Sequence, residues 1–368
     1  MVIRATDPLF IQLAVARNGL MEAAQLLPVT YASKWIVGSY SPAADLTNLN
    51  AYSLLSLDNT TNTVQVTEQG SGFTLPLQSL VSVRRSSSSF DLTGSSITSD
   101  HDIPLVVMME MNGVLIPDNV QYPGCLLEQI PPVNDWGKTF VVPSIVGVLS
   151  SGAGFVVRIV AGYDNTVVWH MHVDIDTYDI VQGSVTLLHS GNWTEFHTDD
   201  FESYFVNCSM PCLVVQYNPG FDYDAFVRVP EYSAPGPFML TVPPISQYTT
   251  NVSFSTVELL PNTRTLHYLR IVVLDNEEIK DSICLDDEAS CGGSVFNWKE
   301  TIYVDGQSYA LGWTLPLEAA GFHTVFSKHP DATYCVFVYG HNDKGSQNGS
   351  YGYTASYQSM STVLDCIC

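Results

Sequence analysis

The sequence predicts an all-β protein: three tandem β repeats of about 107 residues plus one N-terminal strand, set as a propeller-like array, with tandem β-sandwiches as the alternative. Three observations carry this expectation. Short runs rich in Val, Ile, Tyr, Phe and Thr alternate apolar with polar residues and are separated by turn residues. One strand phrase ending in glycine occurs four times. Two further phrases return in register with it.

The first element is ATDPLFIQLAVARNG, Ala5 to Gly19. Asp7 and Pro8 interrupt it and Gln12 sits in its apolar run, so it is a poor signal peptide. It matches TSDHDIPLVVMMEMNG (Thr98 to Gly113), NCSMPCLVVQYNPG (Asn207 to Gly220) and, more loosely, SKHPDATYCVFVYG (Ser327 to Gly340). In each, proline fixes the way into an apolar strand and glycine permits the turn out of it. The opening stretch is therefore expected to be the last strand of a truncated repeat, in a fragment or a gene read from too late a start, with any true signal upstream.

Gly19 to Leu27 is the only stretch expected to be helical. SKWIVGS from Ser33 then returns as KTFVVPS from Lys138, and more weakly as NVSFST from Asn251. Asp58-Asn59, Asp164-Asn165 and Asp275-Asn276 each stand between two apolar alternating runs, which predicts three hairpin turns. About eight β-type runs fall in each unit; examples are Trp35–Tyr40, Tyr52–Leu57, Val64–Thr67, Leu80–Arg84 and Leu105–Met111. The chain divides accordingly. Residues 1–19 close a truncated repeat, 20–113, 114–220 and 221–340 are the three β repeats, and 341–368 form a C-terminal tail.

Charge excludes several functions. Thirty-seven acidic residues against 14 basic give a net charge of -23, which repels nucleic acid and anionic membrane surfaces. No apolar run reaches the ~18 residues of a membrane span. The eight cysteines form an even set whose spacings do not suit zinc. NCSMPC and CLDDEASC predict the local disulfides Cys208–Cys212 and Cys284–Cys291; Cys125, Cys335, Cys366 and Cys368 are left with three pairings. N-glycosylation sequons stand at Asn59, Asn192, Asn207, Asn251 and Asn348. Together these features predict a secreted, extracellular glycoprotein.

WHMHVDID, Trp169 to Asp176, is the stretch with most chemistry. On a strand its histidines and aspartates share one face and Trp169, Met171, Val173 and Ile175 the other. The plainer reading is an alternating strand with a wet face; the alternative is a metal ion at His170, His172 and Asp174. The acidic loops Thr198–Glu202, Asp222–Asp224 and Asp286–Glu288 match no calcium-binding spacing, so no cofactor is expected and calcium is kept only as an alternative. Nucleophile-elbow, dinucleotide and P-loop signatures are missing, and no enzyme is expected.

WGKTFVVPS (Trp136–Ser144), FVVRIVAGYDNTVV (Phe155–Val168), CLVVQYNPG (Cys212–Gly220), PFMLTVPPISQYTTNVSFST (Pro237–Thr256) and VYGHNDKGSQNGSYGYTAS (Val338–Ser356) resemble, in order and spacing, the N-terminal domain family of the IgG Fc-binding protein. The resemblance implies an extracellular binding or structural module of mucus, surface coats or innate defence, with no catalytic residues to carry over. It does not extend to the cysteine-dense von Willebrand type D modules that accompany the domain there, so Fc binding itself is not expected. The function expected is a secreted β scaffold that presents loops to a protein or glycan partner. A glycan hydrolase and a calcium-stabilised matrix component are the alternatives.

Overall fold

In the computed structural model the described residues are 12–17, 20–42, 50–116, 123–145, 154–174, 177–198, 202–219, 236–258, 264–304, 306–317, 320–342 and 350–357. Their regular elements are nearly all strands, so the all-β class holds. The first hairpin is β1 (Gln12–Arg17) with β2 (Leu20–Gln25). A seven-stranded assembly follows: β3 (Tyr31–Ile36), β4 (Asn50–Ser56), β5 (Asn62–Glu68), β6 (Ser71–Leu77), β7 (Ser82–Ser87), β8 (Ser96–Val114) and β9 (Gly124–Gln129). Its long strand β8 is a spine. The first part of β8 pairs with β3 and β5, and the second with β4 and β9. β6 extends β5, and β7 extends β4. Two half-sheets thus share one strand and one core, in which Trp35, Val66 and Ile97 meet Leu54, Val107 and Met109.

The second assembly repeats this wiring with β10 (Gly137–Val142), β11 (Val156–Ala161), β12 (Thr166–Val173), β13 (Ile180–Leu187), β14 (Trp193–His197), β15 (Tyr204–Asn218) and β16 (Phe238–Val242). Here β15 is the spine, pairing with β10, β11, β12 and β16. The third set comprises β17 (Asn251–Ser255), β18 (Thr265–Leu274), helix α1 (Glu277–Ser282), β19 (Ile283–Leu285), β20 (Phe296–Val304), β21 (Gln307–Thr314), β22 (Phe322–Ser327), β23 (Tyr334–Asn342) and β24 (Ser350–Thr354). Its spine is broken: β22 serves β17 and β19, while β23 serves β18 and β24.

The last strands of these sets meet. β2 lies against β9 and β24, and β16 also lies against β9 and β24, so the four close a cycle. That cycle is a propeller-like trait, whereas paired half-sheets over a common core are a sandwich-like one. The assemblies also pack on one another. In β11, Val157 and Ile159 join the core of their own assembly, while Val156 and Val160 join the core of the first. Every residue of β11 is buried, which is why its sequence VVRIVA reads as a continuous run instead of an alternation.

Arg158 is the charged member of that run and is 2% exposed. Its guanidinium bonds Asp91 Oδ2 (2.7 Å), Thr93 Oγ1 (2.8 Å) and the Ser39 carbonyl of the first assembly, and Glu195 Oε2 (2.6 Å) of its own. The Trp193 ring lies 4.0 Å from it. Arg270 on β18 does the same one assembly later, pairing with Glu300 and donating to Ser144 Oγ. Ser39 and Ser144 close the recurring phrases SKWIVGS and KTFVVPS.

Gly94 and Gly191 meet at the same seam, at φ +85° and +84°. A Cβ on Gly94 would fall on the Gly191 carbonyl oxygen, and the reverse contact is nearly as close. Gly94→Ala is expected to cost about 1–3 kcal/mol in urea unfolding, from the left-handed backbone and the clash together. An unchanged midpoint would show that the seam yields.

Several local expectations are corrected. Gly19 to Leu27 is not helical; its described part carries β2, because pairing with β1 and packing between β9 and β24 outweigh the helix preference of Met, Glu, Ala and Leu. The Asp-Asn pairs do not make hairpins. The strands flanking Asp58-Asn59, β4 and β5, pair with β8 and not with each other, and those flanking Asp164-Asn165 do likewise with β15. Asp275-Asn276 opens α1, where the Asn276 side chain accepts from the Glu278 and Ile279 amides and caps the helix. The strand expected at Leu80–Arg84 begins at Ser82, because Leu80 takes a left-handed turn conformation at φ +57°.

Candidate functional site

β12 and β13 form an antiparallel hairpin with Val173 opposite Ile180 and His170 opposite Gly183. Its turn is tied by Asp174: the carboxylate accepts from the Thr177 amide (2.8 Å), the carbonyl from the Tyr178 amide (2.9 Å), and the Asp174 amide donates to the Asp179 carbonyl (3.0 Å). Residues 175 and 176, and so Asp176, lie outside the described residues. The tip is apolar and open. Tyr178 is 81% exposed and Ile180 65%, with Trp169, Val173 and Val181 also exposed.

The faces of β12 depart from the expectation: the histidine face is half-buried, and on the other face Met171 packs partly against the core between exposed Trp169 and Val173. His170 packs on Phe196 with ring centroids 4.1 Å apart, and His172 stacks on Tyr204 at 4.3 Å, while Trp169 and Val173 face solvent. Gly183 makes this packing fit, because a Cβ there would collide with the His170 ring. Burial, then the neighbouring His172, pushes the His170 pKa below its ordinary value, so the imidazole is neutral at pH 7. His172 Nε2 lies 3.5 Å from Glu202 Oε2. Asp174 is turned into its own loop and does not join the histidines. Among the described residues no group of three or more His, Cys, Asp or Glu side chains is placed to hold a metal ion.

β13 is the terminal strand of its sheet, and among the described residues its one ladder partner is β12. Its sequence, IVQGSVTL, holds no Lys, Arg, Asp, Glu or Pro. The terminal strand of the first assembly, β6, holds Pro76. Between Arg158 and Arg228 the sequence holds no Lys or Arg at all. The hairpin tip carries Asp174 and Asp179, whereas Glu195 is paired with Arg158 and Lys34 reaches Ser190 beyond the far end of β13. Sequence reasoning passed over β13 because an uncharged Val/Ile run reads equally well as core; the missing gatekeeper residue was the usable signal.

The other marked residues lie elsewhere. Cys208 is bonded to Cys212 across a bend in the β15 spine, and Cys284 to Cys291 beyond β19. Cys125 and Cys335 are buried; Cys366 and Cys368 lie outside the described residues. Asn59, Asn192 and Asn251 are exposed, Asn207 is half-buried within β15, and Asn348 lies outside the described residues, as do Asp222–Asp224. Asp286 ties its loop to β22, bonding the His323 ring (2.8 Å) and accepting from the Thr324 amide, while Asp287 accepts from the Ala289 and Ser290 amides of its own loop.

Compared with known families, residues 44–340 match the profile described as IgGFc binding protein, which covers most of the chain. The chain belongs to the IgGFc binding protein family. No curated protein and no solved structure matches it. An IgGFc binding protein family chain is an extracellular binding module, and no helix among the described residues is long and apolar enough to cross a membrane.

Proposed function

We propose that the chain is a secreted, non-enzymatic glycoprotein module of mucus or a surface coat, and that its β12–β13 hairpin is the contact surface for an extracellular protein. The observation that carries this reading is the apolar tip, where Tyr178 and Ile180 are left largely in water. Large apolar side chains gathered on one exposed hairpin are the raw material of an interface anchor. The exposed sequons Asn59, in the β4–β5 turn, Asn192, in the β13–β14 turn, and Asn251, at the start of β17, are kept as glycosylation sites, and none lies at the hairpin tip.

Burying one such side chain is worth about 1.5–3 kcal/mol, so a Tyr178→Ser/Ile180→Ser variant should bind its protein partner at least about tenfold more weakly. The test is retention of extracellular proteins from mucus on the immobilised native chain and on the variant, followed by affinity measurement. Proteins held equally by both, or by neither, would count against the hairpin as the contact surface.

A further inference from the structure

We infer that β13 is a strand-addition site: it takes an extended segment of a partner protein, apolar at alternate positions and flanked by Lys or Arg, as an added strand. This rests on the hairpin being the contact surface. Three independent features converge on it.

The first is the backbone. The Val167 amide donates to Ser209 Oγ on β15, at 2.9 Å, so Val167 turns away from β13. Val167 stands opposite Thr186, and antiparallel ladders alternate, so Ile180, Gln182, Ser184 and Thr186 direct their amides and carbonyls to the outer edge. Eight residues of β13 give about 26 Å of such edge.

The second is the lack of protection. Natural edge strands are blunted by charge, by proline or by a bulge. β6 has its proline, whereas β13 has neither proline nor charge, and its register with β12 is unbroken. Alternate exposed side chains on both faces, Ile180 and Val181 at the tip with Gln182 and Ser184 behind, suit recognition through backbone bonds with side-chain selection.

The third is charge, which decides the occupant. Asp174 and Asp179 stand at the tip and the whole segment from 159 to 227 is free of Lys and Arg. A second copy of this chain would bring the same acidic edge, and a net charge of -23, against itself. A cationic strand is complementary.

The probe is a fluorescein-labelled peptide of alternating Val and Thr with two Lys at each end, titrated with the full chain by fluorescence anisotropy at low salt. Controls carry Asp in place of Lys, or a central Pro. The native chain should bind the Lys peptide with saturation, the Asp peptide at least tenfold more weakly, and the Pro peptide without saturation. Gln182→Pro removes one outward amide and should cost at least tenfold with unchanged circular dichroism. Where that variant fails to fold, Gln182→Lys/Ser184→Lys should give the same loss. Equal binding of the three peptides, no binding, or a concentration-dependent dimer that Gln182→Pro dissolves would each overturn the inference. If no peptide binds while Tyr178→Ser/Ile180→Ser still loses its protein partner, strand addition fails and the contact surface stands. If the peptide binds but that variant keeps its partner, the contact surface fails.

Discussion

Arg158→Met should destabilise the protein by about 3–5 kcal/mol, the usual cost of breaking a buried ion pair by removing one partner. The guanidinium is nearly inaccessible and its two carboxylate partners, Asp91 and Glu195, are largely buried as well. Without it both acids face each other across the seam with no counter-charge, and the Thr93 hydroxyl and Ser39 carbonyl lose a partner. Methionine matches the volume, so the loss reports charge more than cavity. Lysine keeps the charge but lacks the fork that serves both carboxylates, so Arg158→Lys should fall between. Urea unfolding of these variants and of Arg158→Met/Asp91→Asn/Glu195→Gln checks the account. The triple variant should recover part of the loss, and a single-variant effect below about 1 kcal/mol would mean that the seam is wet.

Glu22→Gln/Glu128→Gln should remove a pH dependence. Glu22 on β2 and Glu128 on β9 are both buried where the four last strands close their cycle. Glu22 Oε1 accepts from the Ala23 amide (2.9 Å) and from the Gly352 amide (3.3 Å) of β24. Burial pushes both carboxyls well above the usual carboxylate range, against those bonds at Glu22 and against the nearby Thr241 hydroxyl of β16 at Glu128, and their proximity raises Glu22 further. A raised pKa means that the folded state binds the proton more tightly than the unfolded chain. Stability is therefore greatest in acid and falls as pH climbs above about 4.5, by up to about 1.4 kcal/mol per pH unit for each group, until the folded pKa is passed. The double variant keeps polar hydrogen-bonding groups without that titration. It should unfold at a nearly constant urea midpoint over the same window and be the more stable protein at pH 8. Parallel slopes in native and variant chains would refute the assignment.

How far the sequence spoke depended on the range of the interaction. Val/Ile/Tyr-rich runs with polar turns announced β structure because that preference is local, and the ordered phrases from Trp136 to Ser356 announced the family. Pairing was not legible. Asp58-Asn59 has turn chemistry, yet β4 and β5 each take a different part of the β8 spine, a choice made by residues about fifty to sixty positions away for β4 and about thirty for β5. β2 shows the same limit, since its strand state comes from distant β9 and β24. At the hairpin, the sequence identified an alternating WHMH strand but not its buried side. Gly183, Phe196 and Tyr204 decide that, and only the fold brings them to His170 and His172.

The continuous spines carry a consequence for how the molecule comes apart. A tear in either half of the first or second assembly strips ladder bonds from the strand that the other half also needs, so the two halves must yield as one cooperative body. In the third set β22 and β23 are separate strands, so the small β17–β22–β19 sheet shares no ladder spine with β18, β23 and β24 and is joined to them by core packing and by bonds from Tyr334 to the Val325 carbonyl and Tyr353 to the Ser255 carbonyl. Under mechanical load that junction, with no strand running through it, is expected to be the first to part.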